Sequence, residues 1–275
     1  MIVAGLILLA IGSADILREF LPARRRWIGL AAGAVAILVL AALSDAVLAG
    51  LLAVALAAAW VWLAPVGAPS RAGFWPAVAV GALCAVLVAA LPARPSPGII
   101  GDAWMLPTPV GDISFDHAVL ALGAALFLLE SSNVVVRAAL VQEKVQVGPE
   151  PVEASPAAVE SRGMDAGIPA REPATTESAV DDEATVITPL AAAPALKGGR
   201  LIGPLERMLV FALTLAAMYP LLAAILAAKG IVRFPEISRD SAAGNRAEYF
   251  LIGSLVSWVI ALAAAFLVWW AFATP

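Results

Sequence analysis

The stretch Gly198–Ser257 reads GGRLIGPLERMLVFALTLAAMYPLLAAILAAKGIVRFPEISRDSAAGNRAEYFLIGSLVS, and the fold turns on how it crosses a bilayer. It sets Glu206, Arg207, Lys229, Arg233 and Glu248 at the edges of apolar segments. Charges at such depths cost free energy unless they pair or reach the headgroups. They are therefore more informative than the Ala, Leu and Val around them. Met208–Ala228 contains 21 uncharged residues, about 31 Å as an α-helix. That length suits a single span. However, Tyr219-Pro220 interrupts it, and proline removes a helical hydrogen bond. A single span would also carry Lys229, Arg233, Arg239 and Arg246 outward, against the cytoplasmic excess of positive charge. Folding back at Ala217–Leu221 keeps them inside. The expectation is a short helical hairpin over about 201–217 and 220–233, with one kinked span as the alternative. A final span over about 247–271 runs outward and ends in Trp269 and Trp270.

The rest of the chain agrees with a membrane environment. It is 62% hydrophobic and 14% charged, whereas soluble domains are about a quarter charged. Its apolar runs are continuous and near the roughly 20 residues that cross hydrocarbon. A transmembrane β-barrel would instead alternate apolar and polar residues. The predicted class is all-α, a polytopic helical bundle. Residues 1–140 hold five expected spans: Met1–Leu17, Trp27–Leu43, Ala46–Leu63, Phe74–Leu91 and Ala118–Leu140. The first has no basic region before it, so a cleaved signal peptide is not expected. Arg18 and Arg24–Arg26 follow it, which puts the N-terminus outside. With the hairpin, 16 of the 17 Lys and Arg residues are cytoplasmic and Arg94 is the exception. Residues 141–197 are rich in Pro, Ala and acids and lack aromatics, so they cannot offset their ordering entropy. They are expected to form a disordered cytoplasmic linker between the five-span module and a C-terminal membrane module, 198–275. The localisation implied is a bacterial inner membrane.

Polar residues inside the spans define candidate sites. Glu130, Asn133 and Arg137 share one helical face, and an intramembrane carboxylate is a functional-site candidate. Asp15 lies one turn from Arg18, which predicts a local pair. Asp112, Asp116 and His117 provide too few ligands for a convincing metal site; Asp116 is the expected N-cap of the fifth span. Cys84 is the sole cysteine, so neither an intramolecular disulfide nor a Cys/His metal spacing is available. No cofactor is expected. No basic tract resembles a nucleic-acid surface.

The pattern LIGPLER, AAKGIVRF and AEYFLIGSLVS resembles the C-terminal segment of an uncharacterised bacterial membrane family, some of whose members carry an N-terminal DUF3307 domain. The resemblance covers roughly 60 of 275 residues. Gly230 stands where that family often has Ser, and Ser254 where it often has Thr. The His/Asp-rich opening of DUF3307 has no counterpart here. The resemblance implies importance for Glu206, Arg207, Lys229, Arg233, Glu248 and Tyr249, and implies no activity.

Three functions fit these residues. A transporter-like or membrane-embedded binding protein would use Glu130 and the C-terminal charges along a polar path. A scaffold, homo-oligomeric or engaging a membrane or cytoplasmic protein, would use the charged edge and the acidic linker. A lipid-headgroup enzyme would hold phosphate on Arg207, Lys229 and Arg233. The chain lacks HExxH, GxSxG and P-loop motifs, so an enzyme ranks last.

Overall fold

A computed structural model describes residues 1–65, 72–92, 94, 96–108, 111–146, 199–238 and 244–273, with side chains except at 108, 111, 141–146, 199–200, 232–238 and 244–250. Helix α1, Ile2–Phe20, is its centre. It is apolar on every side, and a helix of that kind is buried all round. Ile2, Leu6, Ile7 and Ile11 are fully enclosed. Around it pack α2 (Arg26–Leu43), α3 (Val47–Leu63), α4 (Trp75–Ala90) and α6 (Phe115–Leu126). The short α5 (Gly98–Ala103) and a two-residue strand pair, Pro107–Thr108 with Gly111–Asp112, lie before α6.

Glycines set the closest approach. A Cβ on Gly5 would lie 2.8 Å from the Leu120 nitrogen, and one on Gly12 2.7 Å from the Leu126 carbonyl carbon. One on Gly123 would lie 2.5 Å from the Gly5 oxygen. Helices α1 and α6 therefore run parallel with their backbones touching, as small residues permit in membranes. Gly29 and Gly33 of α2 pack on Leu21 and Leu17 of α1, so α2 runs back. Trp60 reaches Asp15 and the Ala64 carbonyl reaches Arg18, so α3 again runs with α1.

Beyond α6 the chain makes a π-helical turn, Phe127–Ser131, and continues as α7, Ser132–Gln146. Helix α7 thus extends into residues 141–146, assigned above to the linker. Val-Gln-Glu-Lys-Val-Gln contains no Gly or Pro to stop a helix. Residues 147–197 lie outside the described residues, as does the loop containing Arg71.

Helix α8 is Gly199–Leu215 and α9 is Tyr219–Ser238. Between them Ala217 has φ +55°; the turn is closed by Ala217 N–H to Thr214 O at 3.1 Å and Met218 N–H to Leu213 O at 2.9 Å. Lys229 then reaches Glu206, so α9 folds back along α8. Helix α10, Gly244–Ala273, begins three residues earlier than the expected 247. It runs antiparallel to α6–α7, with Ala271 at His117 and Gly253 beside Val136 and Leu140. Residues 1–146 and 198–275 belong to one compact unit; the helices on either side of the linker pack together.

Among the described residues, three helices are long and apolar enough to cross a membrane: Ala23–Leu43, Phe115–Leu140 and Leu251–Ala273. Val47–Leu63, Trp75–Ala90 and Tyr219–Ile231 are shorter apolar helices. Large apolar side chains such as Val35, Leu48, Leu255 and Trp269 face outward.

The glycine contacts carry a test. Gly123→Ala is expected to lower stability by about 1–3 kcal/mol through overpacking. Gly230→Ala, where a Cβ would meet nothing within 4 Å, is expected to be neutral or stabilising. Thermal denaturation of the two variants in detergent compares them.

Candidate functional site

The π turn is where the polar residues gather. A π turn shifts helical hydrogen bonds from the i→i+4 to the i→i+5 pattern and recurs at functional sites. Here side chains cap the carbonyls along it. Ser132 Oγ donates to Phe127 O at 3.3 Å, and Asn133 Nδ2 donates to Leu129 O at 3.3 Å. Arg207 of α8 enters from the other side. Its Nε donates to Leu128 O at 2.9 Å and its Nη2 to Leu129 O at 3.5 Å.

Asn133 joins the two charges in this region. Its amide nitrogen donates to Glu130 Oε2 at 3.0 Å, while its oxygen accepts from Arg207 Nη2 at 2.5 Å. Arg207 Nη1 also donates to Ser257 Oγ of α10 at 3.4 Å. Arg207 is 2% exposed and Glu130 7%. A buried guanidinium needs countercharge and a full set of acceptors. Glu130 and Glu206 supply the charge, and two carbonyls, one amide and one hydroxyl supply the acceptors.

Adjacent helical residues point about 100° apart, so Glu206 faces a different partner. Both its oxygens lie 2.6 Å from Lys229 Nζ. Trp258 Nε1 donates to Glu206 Oε1 at 2.6 Å, and Lys229 Nζ lies 5.3 Å from the centre of the Trp258 ring. One carboxylate thus ties α8, α9 and α10 together, with a cation–π contact beside it.

Below the π turn a cleft of about 350 Å³ is lined by Glu19, Glu130, Asn133, Val136 and Arg137. Arg137 is exposed, and its Nε donates to Asn133 O at 3.3 Å. The cleft therefore has two acids and one base on its wall, and Glu130 is the buried one of the three.

The two residue sets proposed from sequence are thus redistributed. Glu206 and Lys229 meet. Arg207 leaves that cluster and joins Glu130 and Asn133. Arg233 lies in α9, and Glu248 and Tyr249 in α10, but their side chains are outside those described. Sequence reasoning missed Trp258 and gave Ser257 no polar role. An indole N–H inside a span beside a small-residue face was the available signal. The π turn left no comparable mark in composition.

Other polar groups have structural partners. Asp15 pairs with Arg18 as expected. The pair is buried, with Trp60 Nε1 on Asp15 Oδ2 at 2.9 Å and Arg18 Nη1 on Ala64 O at 3.0 Å. Asp116 is not the N-cap of α6; Ser114 is, its hydroxyl accepting from His117 N–H. Asp116 pairs instead with Arg94, because a carboxylate in the first turn of the helix can reach the guanidinium that also binds Ser44 O. His117 bonds Ser114 Oγ at 2.6 Å and Ala271 O at 3.1 Å, and stacks on Phe272 at 4.3 Å. The residues of DISFDH thus diverge.

Removing Asn133 separates the two buried charges. Asn133→Leu is expected to destabilise by about 2 kcal/mol or more, since it leaves buried donors and acceptors unmet. Ser257→Ala removes one long contact and is expected to cost under about 1 kcal/mol. Chemical denaturation in detergent measures both. No family model, no curated protein and no solved structure matches the chain.

Proposed function

We propose that this is a polytopic inner-membrane protein of the transporter-like or membrane-embedded binding kind, in which Glu130 is the carboxylate that takes up a proton or ion. The observation that carries this reading is the position of Glu130. It is buried in a π turn, bonded to Asn133, and on the wall of the cleft of about 350 Å³. Intramembrane carboxylates facing an interior cavity are typical of ion and proton pathways.

The proposed topology has five N-terminal spans, α1, α2, α3, α4 and α6–α7. The α8–α9 hairpin enters from the cytoplasmic side, and α10 is the last span, with the N-terminus outside and the linker inside. The alternating directions of the helices support it, as does the gathering of Arg18, Arg24–Arg26, Arg137 and Lys229 toward one end. The resemblance of the C-terminal segment to a bacterial membrane family fits the same arrangement. A lipid-headgroup enzyme is less favoured, because Arg207 and Lys229 are already engaged by protein acceptors. A scaffold reading depends on residues 147–197, outside the described ones.

Two experiments test the proposal. In proteoliposomes containing pyranine, an imposed potassium potential is expected to drive proton uptake, reduced about tenfold or more by Glu130→Gln. Uptake no faster than in empty vesicles, or unchanged in Glu130→Gln, sinks the reading. In a Cys84→Ser background, Val136→Cys is expected to react with an impermeant maleimide from the cytoplasmic side only. Reaction from the outside would reverse the topology.

A further inference from the structure

Away from the π turn, α1, α2 and α3 enclose an apolar groove of about 220 Å³, lined by residues that include Ala14, Leu17, Gly33, Ala34, Ala57 and Ala58. Space is left where Gly and Ala of the three helices face one another, between larger side chains such as Leu30 and Ile37. The lining hydroxyl of Ser13 donates to Ala10 O at 3.1 Å. Water needs two to four polar partners to occupy a cavity, and this wall offers almost none. Helix α2 is one of the candidate spans, with little of its surface buried by the protein. The groove therefore opens toward hydrocarbon.

One end of the groove is marked by charge. Leu30, on its wall, is four residues beyond Arg26, about 6 Å along the helix. Arg24 and Arg25 are exposed there, and among the described residues no carboxylate forms an ion pair with either. Arg26 turns back to the α1 end, its Nε donating to Leu21 O at 3.2 Å. Trp27 is 69% exposed beside them, as aromatic side chains are at the level of headgroups.

We propose that this groove is a specific site for an anionic phospholipid, with one acyl chain along Ala14, Gly33, Ala34 and Ala58 and the phosphate on Arg24 and Arg25. The charge selects the occupant. A second copy of this chain, seated symmetrically in the same bilayer, would bring its own Arg24–Arg26 to the same depth, and like charges would oppose it. An anionic lipid supplies the apolar chain and the countercharge in one molecule. This site is independent of the role assigned to Glu130.

Native mass spectrometry of the full chain in neutral detergent, with phosphatidylglycerol or phosphatidylcholine of matched chains, tests it. The expected result is a one-to-one phosphatidylglycerol adduct retained in preference to phosphatidylcholine. The double variant Arg24→Gln/Arg25→Gln should bind about thirtyfold more weakly, the equivalent of about 1 kcal/mol per charge. Ala34→Phe fills the groove and should abolish the adduct. Ala58→Phe does the same from the α3 wall, should Ala34→Phe fail to fold, and thermal melting confirms which variant is folded. The proposal is overturned by equal retention of the two lipids, by an adduct undiminished in a folded groove-filling variant, or by binding insensitive to the arginine substitutions. A cross-linked dimer lost in Ala34→Phe while lipid binding persists would assign the groove to a second copy instead.

Discussion

Burying the guanidinium of Arg207 is the constraint on which the centre of this structure depends. Taking such a charge out of water costs several kcal/mol unless countercharge and acceptors replace the solvent. No one helix can provide them. A regular α-helix uses its carbonyls internally, and α10 offers only the hydroxyl of Ser257. The π turn resolves this by presenting Leu128 O and Leu129 O to a side chain from outside the helix. The local distortion between α6 and α7 and the burial of Arg207 are therefore two sides of one arrangement. Asn133 completes it, because its amide donates to Glu130 through nitrogen and accepts from Arg207 through oxygen.

Helix α1 provides the frame for that arrangement. It lies against α6 through Gly5, Gly12 and Gly123, and its Gly12 meets the backbone where the π turn begins. Its polar end needs the same kind of care. Asp15 and Arg18 are both buried, and their charges are met by each other, by Trp60 and by carbonyls at the end of α3. Trp60 also packs on Phe127 at 5.9 Å. The α1–α3 pair is thus linked by an aromatic contact to the first residue of the π turn. The apolar core and the polar network are continuous at this point.

How much of this was legible follows from what each feature depends on. Helical class and the apolar segments were legible because both are local and additive along the chain. The break near Ala217–Leu221 was legible from one proline and a count of positive charges. The Asp15–Arg18 pair was legible from spacing alone. The partners of Arg207 were not. Glu206 and Arg207 are adjacent in sequence, and composition cannot tell which faces α9 and which faces the π turn. That choice depends on the rotation of α8, which packing sets. The N-cap of α6 was misassigned for a similar reason: Asp116 and Ser114 both have capping side chains, and the guanidinium of Arg94, 22 residues away in the chain, draws Asp116 to itself.

The rotation of α8 follows from the opposite charges at 206 and 207. Turning the helix by one residue, about 100°, would bring Glu206 against the π-turn carbonyls in one sense, or Arg207 against Lys229 in the other. Both encounters are repulsive: carboxylate against carbonyl oxygens, and guanidinium against ammonium. In the observed rotation both are attractive, and Trp258 adds a donor to Glu206. A pair of neighbouring residues of opposite sign therefore acts as a register key, more discriminating than two like charges would be. It also ties the α8–α9 hairpin to the π turn. A rotation of α8 that withdrew Glu206 from Lys229 would also displace Arg207 from Leu128 and Asn133.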